Sequence, residues 1–321
     1  MHSAFQEMRP RRTSIDRKKG GGMTTKLGFI GMGHMGSHMA ARLRGAGYPV
    51  TVYDRSKEKS QAESPRELAA HSEVILMSVT DNAAVEQVMF GPGGALEGLQ
   101  KGSRIIDLST VSPGSSRRLY NAAREKGAAM IDAAVSGSVP QVDQGSLVIF
   151  VGGDQQTYEQ CRPILEILGQ HIFYMGPSGM GTTMKLVVNT LLGLGMQALA
   201  EAIVLGQKAG LEKGLLLEVL EQTAVMSPSQ KSKLANVGSD QYPTLFALSL
   251  MHKDLGLVIR QAAEISASMP ATAAAEQMYT AAMAKGTDED FSVVIRFMQQ
   301  LAGLPHTTGG SGVTSARFVK Y

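Results

Sequence analysis

Residues 26–36 read Lys-Leu-Gly-Phe-Ile-Gly-Met-Gly-His-Met-Gly, a short apolar run followed directly by three glycines in the spacing G-x-G-x-x-G. Apolar residues then recur from Met35 to Ala46 with the period of an amphipathic helix. A second apolar run, Val50-Thr-Val-Tyr-Asp54, comes next and ends in a carboxylate. A strand, a glycine-rich turn, a helix and a second strand, in this order, predict a fold that binds a dinucleotide.

Each glycine of this motif has a predicted role. Gly31 permits a tight turn, Gly33 leaves the backbone bare where a pyrophosphate approaches, and Gly36 lets the helix pack against the strand. The helix N terminus offers free N–H groups to the phosphates. The alternative, glycines that serve only the turn, is less favoured because the flanking strands and helix are all present. The cofactor-binding residues predicted here are Gly31, Met32, Gly33, His34, Met35 and Gly36.

The residues after the second strand give conflicting signals on the cofactor. Asp54 is placed to accept hydrogen bonds from an adenosine ribose, which favours NAD and repels the 2′-phosphate of NADP. Arg55, Ser56 and Lys57 follow at once, and such side chains suit a 2′-phosphate. Asp54, Arg55 and Ser56 are therefore predicted to bind NAD or NADP, and the carboxylate tips the prediction toward NAD.

Strand and helix patterns keep alternating through the first half of the chain. The further predicted strands are Val74–Val79, Arg104–Ser109, Ala129–Val135, Leu147–Val151 and Ile172–Met175. Alternation predicts right-handed crossovers and a mostly parallel sheet with helices on both faces. Ligands bind beyond the carboxyl ends of such strands, so the loops 78–82, 110–112 and 136–140 are candidate sites. In the first loop, Val79, Thr80 and Asn82 are predicted to bind the cofactor, although for Thr80, Asp81 and Ser112 helix capping fits as well.

The second half carries helical patterns only, and it opens with Gly176-Pro-Ser-Gly-Met-Gly-Thr-Thr-Met-Lys-Leu-Val-Val-Asn189. A helical pattern runs from Thr182 to Lys208, long enough to reach between two domains. Lys185 and Asn189 lie four residues apart, so both emerge on one face of that helix. The pair suits a solvated face as well as a ligand site in an interdomain cleft. The remaining predicted helices are Leu215–Gln222, Leu250–Ser268, Ala271–Ala284 and Asp290–Leu301.

These patterns predict an α/β fold, in which an N-terminal Rossmann domain with a doubly wound sheet is followed by an all-α C-terminal domain joined by a long interdomain helix. The predicted divisions are a disordered basic leader (1–25), a dinucleotide-binding domain (26–181), an all-helical substrate and oligomerisation domain (182–304) and a flexible tail (305–321). Met23 is an alternative natural start of the chain.

Composition narrows the function further. The leader holds six basic and two acidic residues, so it accounts for the formal charge of +3 and leaves −1 for the rest, which argues against a nucleic-acid surface. The leader has no apolar core typical of a secretory signal, and a cytoplasmic location is expected. No apolar run approaches the ~18 residues of a membrane span. Cys161 is the only cysteine and the histidines are scattered, so no metal site is predicted.

Four motifs, in order, resemble the β-hydroxyacid dehydrogenase family over about Lys26 to Gly303. The first, Gly28-Phe-Ile-Gly-Met-Gly-His-Met-Gly-Ser-His-Met-Ala40, is similar to the family's cofactor signature. The second, Asp132-Ala-Ala-Val-Ser-Gly-Ser138, resembles the substrate-binding pattern D-A-P-V-S-G-G, but Ala134 and Ser138 replace its proline and last glycine. The third is the stretch 176–189, which matches G-x-x-G-x-G-x-x-x-K-x-x-x-N, and the fourth is Lys253-Asp254-Leu255, similar to K-D-L.

The resemblance implies a role for each matched residue. Lys185 is the expected catalytic general acid and base, with Ser136, Gly137 and Asn189 binding the substrate. Lys253 and Thr110 are expected on the cofactor. Without this resemblance, Lys253 and Asp254 would be read as a surface pair near a helix start.

The implied activity is an NAD(P)-dependent oxidoreductase that transfers a hydride between the nicotinamide and a small 3-hydroxy acid or semialdehyde. It is of the 3-hydroxyisobutyrate dehydrogenase or 2-hydroxy-3-oxopropionate reductase type, and a homodimer or homotetramer is expected. Alternatives are an imine reductase of the same architecture and a non-catalytic dehydrogenase-like scaffold, and the presence of Lys185 argues against both. The residues do not choose the substrate, the direction of the reaction or the number of subunits.

Overall fold

The computed structural model describes residues 25–304 of the 321-residue chain. The predicted leader, apart from Thr25, and the predicted tail lie outside the described residues. The strands are β1 (Leu27–Ile30), β2 (Val50–Tyr53), β3 (Val74–Met77), β4 (Arg104–Asp107), β5 (Ala129–Ser136), β6 (Leu147–Gly153) and β7 (Gly169–Gly176).

The helices fall into two groups along the chain. Those of the first half are α1 (His34–Gly45), α2 (Pro65–Ala70), α3 (Asn82–Val85, continued by a π-helical turn Glu86–Phe90), α4 (Ala95–Gly98), α5 (Pro113–Glu125), α6 (Val139–Gln144) and α7 (Gln155–Leu168). Those of the second half are α8 (Met180–Lys208), α9 (Lys213–Gln222), α10 (Pro228–Lys231), α11 (Leu234–Ser239), α12 (Leu248–Glu264), α13 (Pro270–Met283) and α14 (Val294–Leu301). Short 3₁₀ turns cover Lys57–Lys59 and Phe291–Val293.

The strands form one sheet in the order β2-β1-β3-β4-β5-β6-β7. Every neighbouring pair is parallel except β5 and β6, which are antiparallel. The connection between these two strands, residues 137–146, is shorter than the dozen or more residues that a parallel crossover needs. The predicted mostly parallel sheet is confirmed, and within residues 25–304 its last two strands, β6 and β7, run opposite to β1–β5.

Apolar side chains of the strands fill a core on each face of the sheet. Phe29, Leu76 and Ile106 are buried on the face that packs with Met39 of α1 and Leu165 of α7. Ile30, Met77 and Ile105, which neighbour them on the same strands and point the opposite way, enter the second core with helices α2, α4 and α5. All four residues of β1 and of β3 are buried, as expected for central parallel strands.

The helices of the second half have a core of their own. Met196 and Ile203 of α8 are buried there together with Met251 of α12, Tyr279 of α13 and Val294 of α14. The all-helical character predicted after residue 181 is confirmed. The predicted boundary between residues 181 and 182 lies in the first turn of α8, and the division into two domains at that point stays a prediction.

Helix α8 belongs to both halves of the molecule. Its first turns lie on β5 and β6, and its later turns pack against α12, α13 and α14. At 29 residues it is long and apolar enough to cross a membrane by length and composition, so the expectation that no segment reaches this limit was wrong. A helix that packs into the core of a soluble protein passes the same test, and α8 contributes buried residues along its length.

Some elements were not predicted. No helix was expected over Gln155–Leu168, where Pro163 interrupts the pattern, yet α7 forms and buries Tyr158, Cys161 and Leu165. Its proline costs one backbone hydrogen bond of the helix, and the apolar face outweighs this cost because it fills the sheet's core. Helix α12 ends at Glu264, four residues before the predicted end at Ser268.

Two glycines of α8 permit a test of how tightly the helix sits on the sheet. A Cβ at Gly181 would lie 2.3 Å from the backbone oxygen of Phe150 in β6, so Gly181→Ala is expected to destabilise the fold by about 1–3 kcal/mol. At Gly195 the nearest atom would be Nε2 of Gln230 at 3.5 Å, an ordinary contact. Gly195→Ala is therefore expected to stabilise by up to about 1 kcal/mol through helix propensity. Denaturant unfolding measures both changes, and equal signs would contradict the packing described.

Candidate active site

The glycine turn between β1 and α1 forms an open cradle. Gly31 has φ +96°, and a Cβ there would lie 2.2 Å from the backbone oxygen of Ser78. A Cβ at Gly36 would lie 1.9 Å from the backbone oxygen of Gly31, so close packing requires both glycines. A Cβ at Gly33 would meet nothing within 4 Å, and no side chain caps the N terminus of α1. The turn therefore leaves bare backbone and free N–H groups in open space, which fits a pyrophosphate.

The carboxylate of Asp54 is fixed against this turn. Its Oδ2 accepts a hydrogen bond of 2.7 Å from the N–H of Met32, and its Oδ1 accepts one of 2.9 Å from the N–H of Ser56. A cavity of about 630 Å³ opens beside these residues, lined by Met32, Gly33, His34, Ser37, Lys59 and Gln61 among others. Arg55 is exposed next to it. The predicted ribose-binding carboxylate and the predicted phosphate turn thus form one rigid unit.

Side chains at the ends of β3 and β4 tie the next two loops together. The N–H of Val79 donates to the Ser109 hydroxyl at 3.0 Å. The Asn82 amide donates to Ser112 Oγ at 3.0 Å and accepts from the Ser112 N–H at 2.9 Å. Asp81 and Ser112 cap α3 and α5, so the capping alternative is confirmed for these two residues. The side chain of Thr80 lies 3.2 Å from Asp81 Oδ2.

The loop after β5 contains a glycine in a backbone conformation that other residues rarely adopt, and a serine that caps the start of α6. Gly137 has φ +136°, and a Cβ there would lie 2.7 Å from Leu147 Cδ2, so no other residue fits without strain. Both the N–H and the hydroxyl of Ser138 point at Gln141 Oε1, at 2.9 and 2.7 Å. Ser138, which departs from the family's glycine, therefore starts α6, and Ser136 and Gly137 are left as the residues of this loop that can meet a ligand.

Asp132 of β5 holds the first turn of α8. Its Oδ1 accepts from the N–H of Gly179 at 2.7 Å, and its Oδ2 accepts from both the N–H and the hydroxyl of Thr182 at 2.9 Å. A carboxylate at this place satisfies free N–H groups and complements the positive end of the helix. Lys185 follows Thr182 by three residues, so Asp132 fixes the start of the helix that carries it.

A second buried carboxyl lies beside Asp132. Asp107 is its register partner on β4, and both side chains are 1% exposed. Burial raises the pKa of the Asp107 carboxyl to about 7, hydrogen bonds from Ser109 oppose the rise, and the charge of Asp132 adds to it. Asp107 can therefore take up a proton near neutral pH, so the two neighbouring buried carboxyl groups need not both be charged.

Four of the predicted residues meet where α8 crosses α12. Lys253 Nζ donates to the backbone oxygen of Thr110 at 2.7 Å and lies 2.8 Å from Asp254 Oδ1. The Asn189 amide donates to Asp254 Oδ2 at 2.5 Å, and Asn189 is completely buried. Lys185 is on the same face of α8, one turn earlier, and is half-buried. The solvated-face alternative for Asn189 is therefore wrong.

Asp254 is the residue of this cluster that was not predicted as a site residue. It is 1% exposed, so the alternative of a surface pair is wrong for it. Its carboxylate joins Lys253 to Asn189, which are 64 positions apart in the chain. Asp254 is the middle residue of the motif Lys253-Asp254-Leu255, so the sequence pointed to it. The residues around it, however, do not show that this face of α12 is buried.

The charges around Lys185 change its acidity. Burial lowers the pKa of its ammonium group, the carboxylate of Asp254 opposes this, and the nearby charge of Lys253 adds to it, so that the pKa is about 8. Within residues 25–304, Lys185 Nζ has no hydrogen-bond or ion-pair partner. A lysine with such a pKa can donate a proton as the ammonium form and accept one as the neutral amine near neutral pH.

The cluster contains no evident set of metal ligands. Among the described residues, no three side chains of His, Cys, Asp or Glu lie close enough together to hold a metal ion.

Known protein families match both halves of the chain. Residues 26–176 match the NAD binding domain of 6-phosphogluconate dehydrogenase, and residues 179–298 match the NAD-binding domain of NADP-dependent 3-hydroxyisobutyrate dehydrogenase. The first matched range ends at residue 176 and the second begins at Gly179, whose N–H donates to Asp132. They cover the glycine turn, the loop after β5 and the lysine cluster.

Individual proteins are similar over most of their length. A 2-(hydroxymethyl)glutarate dehydrogenase of Eubacterium barkeri is 36% identical over 88% of this chain and 98% of its own. The chloroplastic glyoxylate/succinic semialdehyde reductase 2 of Arabidopsis thaliana is 37% identical over 86% of this chain and 80% of its own. The solved 3-hydroxyisobutyrate dehydrogenase of Mycobacterium tuberculosis, with L-serine, has a TM-score of 0.78 at 28% identity over 86% of this chain and all of its own. An imine reductase of Myxococcus stipitatus is more distant, with 19% identity and a TM-score of 0.58.

The pKa of Lys185 provides a test of the cluster's electrostatics. Asp254→Asn removes the charge that favours the ammonium form, so the pKa of Lys185 is expected to fall below about 8. Lys253→Met removes a like charge, so the same pKa is expected to rise. Acetylation by acetic anhydride, which reacts with the neutral amine, measures the pKa by peptide mass spectrometry over a pH series. The reactivity of Lys208 on the same helix serves as the reference, and shifts of equal sign in the two variants would contradict the assignment.

Proposed function

Because the chain belongs to the β-hydroxyacid dehydrogenase family, we propose that it interconverts a small carboxylate-bearing semialdehyde and the corresponding 3-hydroxy acid. It is an NAD(P)-dependent oxidoreductase. The observation that carries the proposal is the unpartnered ammonium group of Lys185, with a pKa of about 8, in a cluster with Thr110, Asn189 and Lys253. The relatives named for succinic semialdehyde and for 2-(hydroxymethyl)glutarate support a substrate with both a carboxylate and an oxidisable carbon.

The residues of the site divide the work between proton transfer and binding. Lys185 Nζ donates a proton to the aldehyde oxygen as this becomes a hydroxyl group, and it removes that proton in the oxidative direction. When bound, the nicotinamide cofactor supplies or accepts the hydride. Ser136 and Gly137 offer a hydroxyl and a backbone N–H to the substrate carboxylate. These roles remain proposals, supported by the positions of the residues at the carboxyl end of β5.

Asn189, Asp254 and Lys253 support this chemistry without transferring the proton themselves. Asp254 anchors Asn189 and Lys253 at the same time, so it keeps both beside Lys185. Asn189 retains a buried Oδ1 without a hydrogen-bond partner among the described residues, which leaves it an acceptor for a substrate hydroxyl. Lys253 binds the backbone of Thr110 at the end of β4, where we propose that both residues contact the cofactor.

We propose NAD as the preferred cofactor. The carboxylate of Asp54 is held in place by the N–H groups of Met32 and Ser56, so it cannot turn away from a ribose 2′-phosphate. A fixed negative charge there opposes NADP, whereas ribose hydroxyls can still donate to it. Arg55 next to it is exposed and supports the opposite preference, so the ratio of the two cofactors is part of the test.

We also propose a homo-oligomer in the cytoplasm. Val187, Leu191 and Leu205 recur along the outer face of α8 and are 50%, 72% and 73% exposed. A row of large apolar residues along ~27 Å of helix exceeds what a monomer usually leaves in water. The row lies on the opposite face of α8 from Lys185 and Asn189, so a second copy can cover it without closing the site.

The proposed reaction is tested by following the absorbance of NADH and of NADPH. The panel contains tartronate semialdehyde, methylmalonate semialdehyde, glyoxylate, succinic semialdehyde and a cyclic imine. We expect turnover of at least one semialdehyde, faster with NADH. Lys185→Met is expected to lower kcat by about 10²-fold or more while the cofactor's Kd stays the same.

Lys208→Met is the matched control, because Lys208 lies at the exposed end of the same helix and is expected to leave kcat unchanged. If the protein binds the cofactor but turns over none of the aldehydes, the proposed activity is contradicted. Turnover of the imine alone would favour an imine reductase, and retained activity in Lys185→Met would remove this residue from proton transfer.

The proposed oligomer is tested by light scattering on a sizing column. Leu191→Glu combined with Leu205→Glu places charges in the apolar row, and we expect the mass of the wild-type oligomer to fall to that of one chain. Ile265→Glu is the control, since Ile265 is 65% exposed but lies outside the row. A monomeric wild-type protein, or an oligomer that survives the double substitution, would contradict the assignment of this face.

A further inference from the structure

Helix α1 touches α6 through a polar contact that the proposed reaction does not use. His38 and Arg42 lie one turn apart on α1 and face Asp143 in the last turn of α6. His38 Nδ1 lies 2.7 Å from Asp143 Oδ1, and Arg42 Nη1 donates to the backbone oxygen of Asp143 at 2.7 Å. We refer to His38, Arg42 and Asp143 as the α1–α6 clasp.

Arg42 also reaches a third helix. Its Nε donates to the backbone oxygen of Ile167, in the last turn of α7, at 2.5 Å. The last carbonyl groups of a helix have no N–H partner within the helix, and a positive charge is favourable there. One guanidinium group therefore joins the C-terminal ends of α6 and α7 to the last turn of α1.

The chain leaves room for this guanidinium group. Gly145 ends α6 with φ +67°, and a Cβ there would lie 2.1 Å from Arg42 Nη2. A glycine is thus required both by the backbone conformation and by the arginine that lies over it. Two residues that are about 100 positions apart fit each other at this point.

The clasp joins the two helices that begin at the two proposed binding regions. The N terminus of α1 is the cradle for the cofactor's pyrophosphate, and α6 follows directly after Ser136 and Gly137, which are proposed to bind the substrate's carboxylate. Because α6 has only six residues, a tilt at its C-terminal end moves its N-terminal loop as well. We propose that the α1–α6 clasp holds the substrate loop in position relative to the cofactor helix, which makes Arg42 a positioning residue.

Arg44 provides a natural comparison on the same helix. Its Nε and Nη2 donate to the backbone oxygen of Val50 in β2, at 3.2 and 2.8 Å, and its Nη2 also donates to Gln61 Oε1 at 2.7 Å. Arg44 therefore ties α1 to the strand on the adenosine side, whereas Arg42 ties it to the substrate loop. The two arginines are alike in chemistry and differ in the element that they hold.

The kinetic test uses Arg42→Met, Arg42→Lys and Arg44→Met in the full chain, with the aldehyde of the panel that the wild-type protein reduces fastest. Arg42→Met is expected to raise the KM for the aldehyde about 10-fold, with the Kd of NADH unchanged. Arg42→Lys is expected to restore part of this loss, because an ammonium group can still donate to one of the two carbonyl groups. Arg44→Met is expected to change the Kd of NADH instead, because Arg44 borders the cavity beside the glycine turn.

A second readout separates this inference from the proposed function on which it rests. NADH is expected to slow amide hydrogen exchange both in α1 and in residues 139–146 of the wild-type protein. In Arg42→Met, the protection in α1 is expected to persist and that in residues 139–146 to be lost, whether or not any aldehyde is turned over. Loss of both in this variant, or the same kinetic changes in Arg42→Met and Arg44→Met, would show that Arg42 is merely structural and overturn the proposal.

Discussion

The hydrogen bonds from the first turn of α8 to the carboxylate of Asp132 are the contact on which the rest of the site depends. Asp132 is buried in the middle of the sheet's carboxyl edge, where an unpaired charge is costly. The free N–H groups of α8 remove that cost and are themselves satisfied. The glycines at 152 and 181 let the helix approach so closely, since a Cβ at either place would lie within 3 Å of the carboxylate. The position of the lysine follows from this docking.

The lysine cluster shows how a shared partner sets both geometry and acidity. Asp254 is held by Asn189 and Lys253, so its carboxylate has a fixed place beside Lys185. Burial and the second lysine favour the neutral amine of Lys185, and Asp254 favours the ammonium form. The balance leaves the pKa at about 8, which suits the general acid and base that we propose Lys185 to be. Among residues 25–304, nothing forms a competing hydrogen bond with Lys185.

The loops that we propose to bind cofactor and substrate are joined to one another by side-chain hydrogen bonds. Asp54 links the strand β2 to the glycine turn, Asn82 links the loops after β3 and β4, and Lys253 links α12 to the end of β4. Each contact connects a loop at the carboxyl edge of the sheet to a neighbour from another part of the chain. The site is thus built from loops on a rigid sheet, with α8 and α12 closing it from the helical side.

The sequence by itself determined the glycine turn, the succession of strands β1–β5 along the chain, the helical second half and the common face of Lys185 and Asn189. These features depend on spacing between residues close together in the chain, and local backbone geometry fixes them. Only the tertiary structure decided the reversed direction of strands β6 and β7, the helix α7, the burial of Asn189 and Asp254, and the fit of Arg42 over Gly145. The burial of Asn189 and Asp254 and the contacts of Arg42 join residues from 65 to more than 100 positions apart, and local periodicity carries no information on which surface a distant helix will cover.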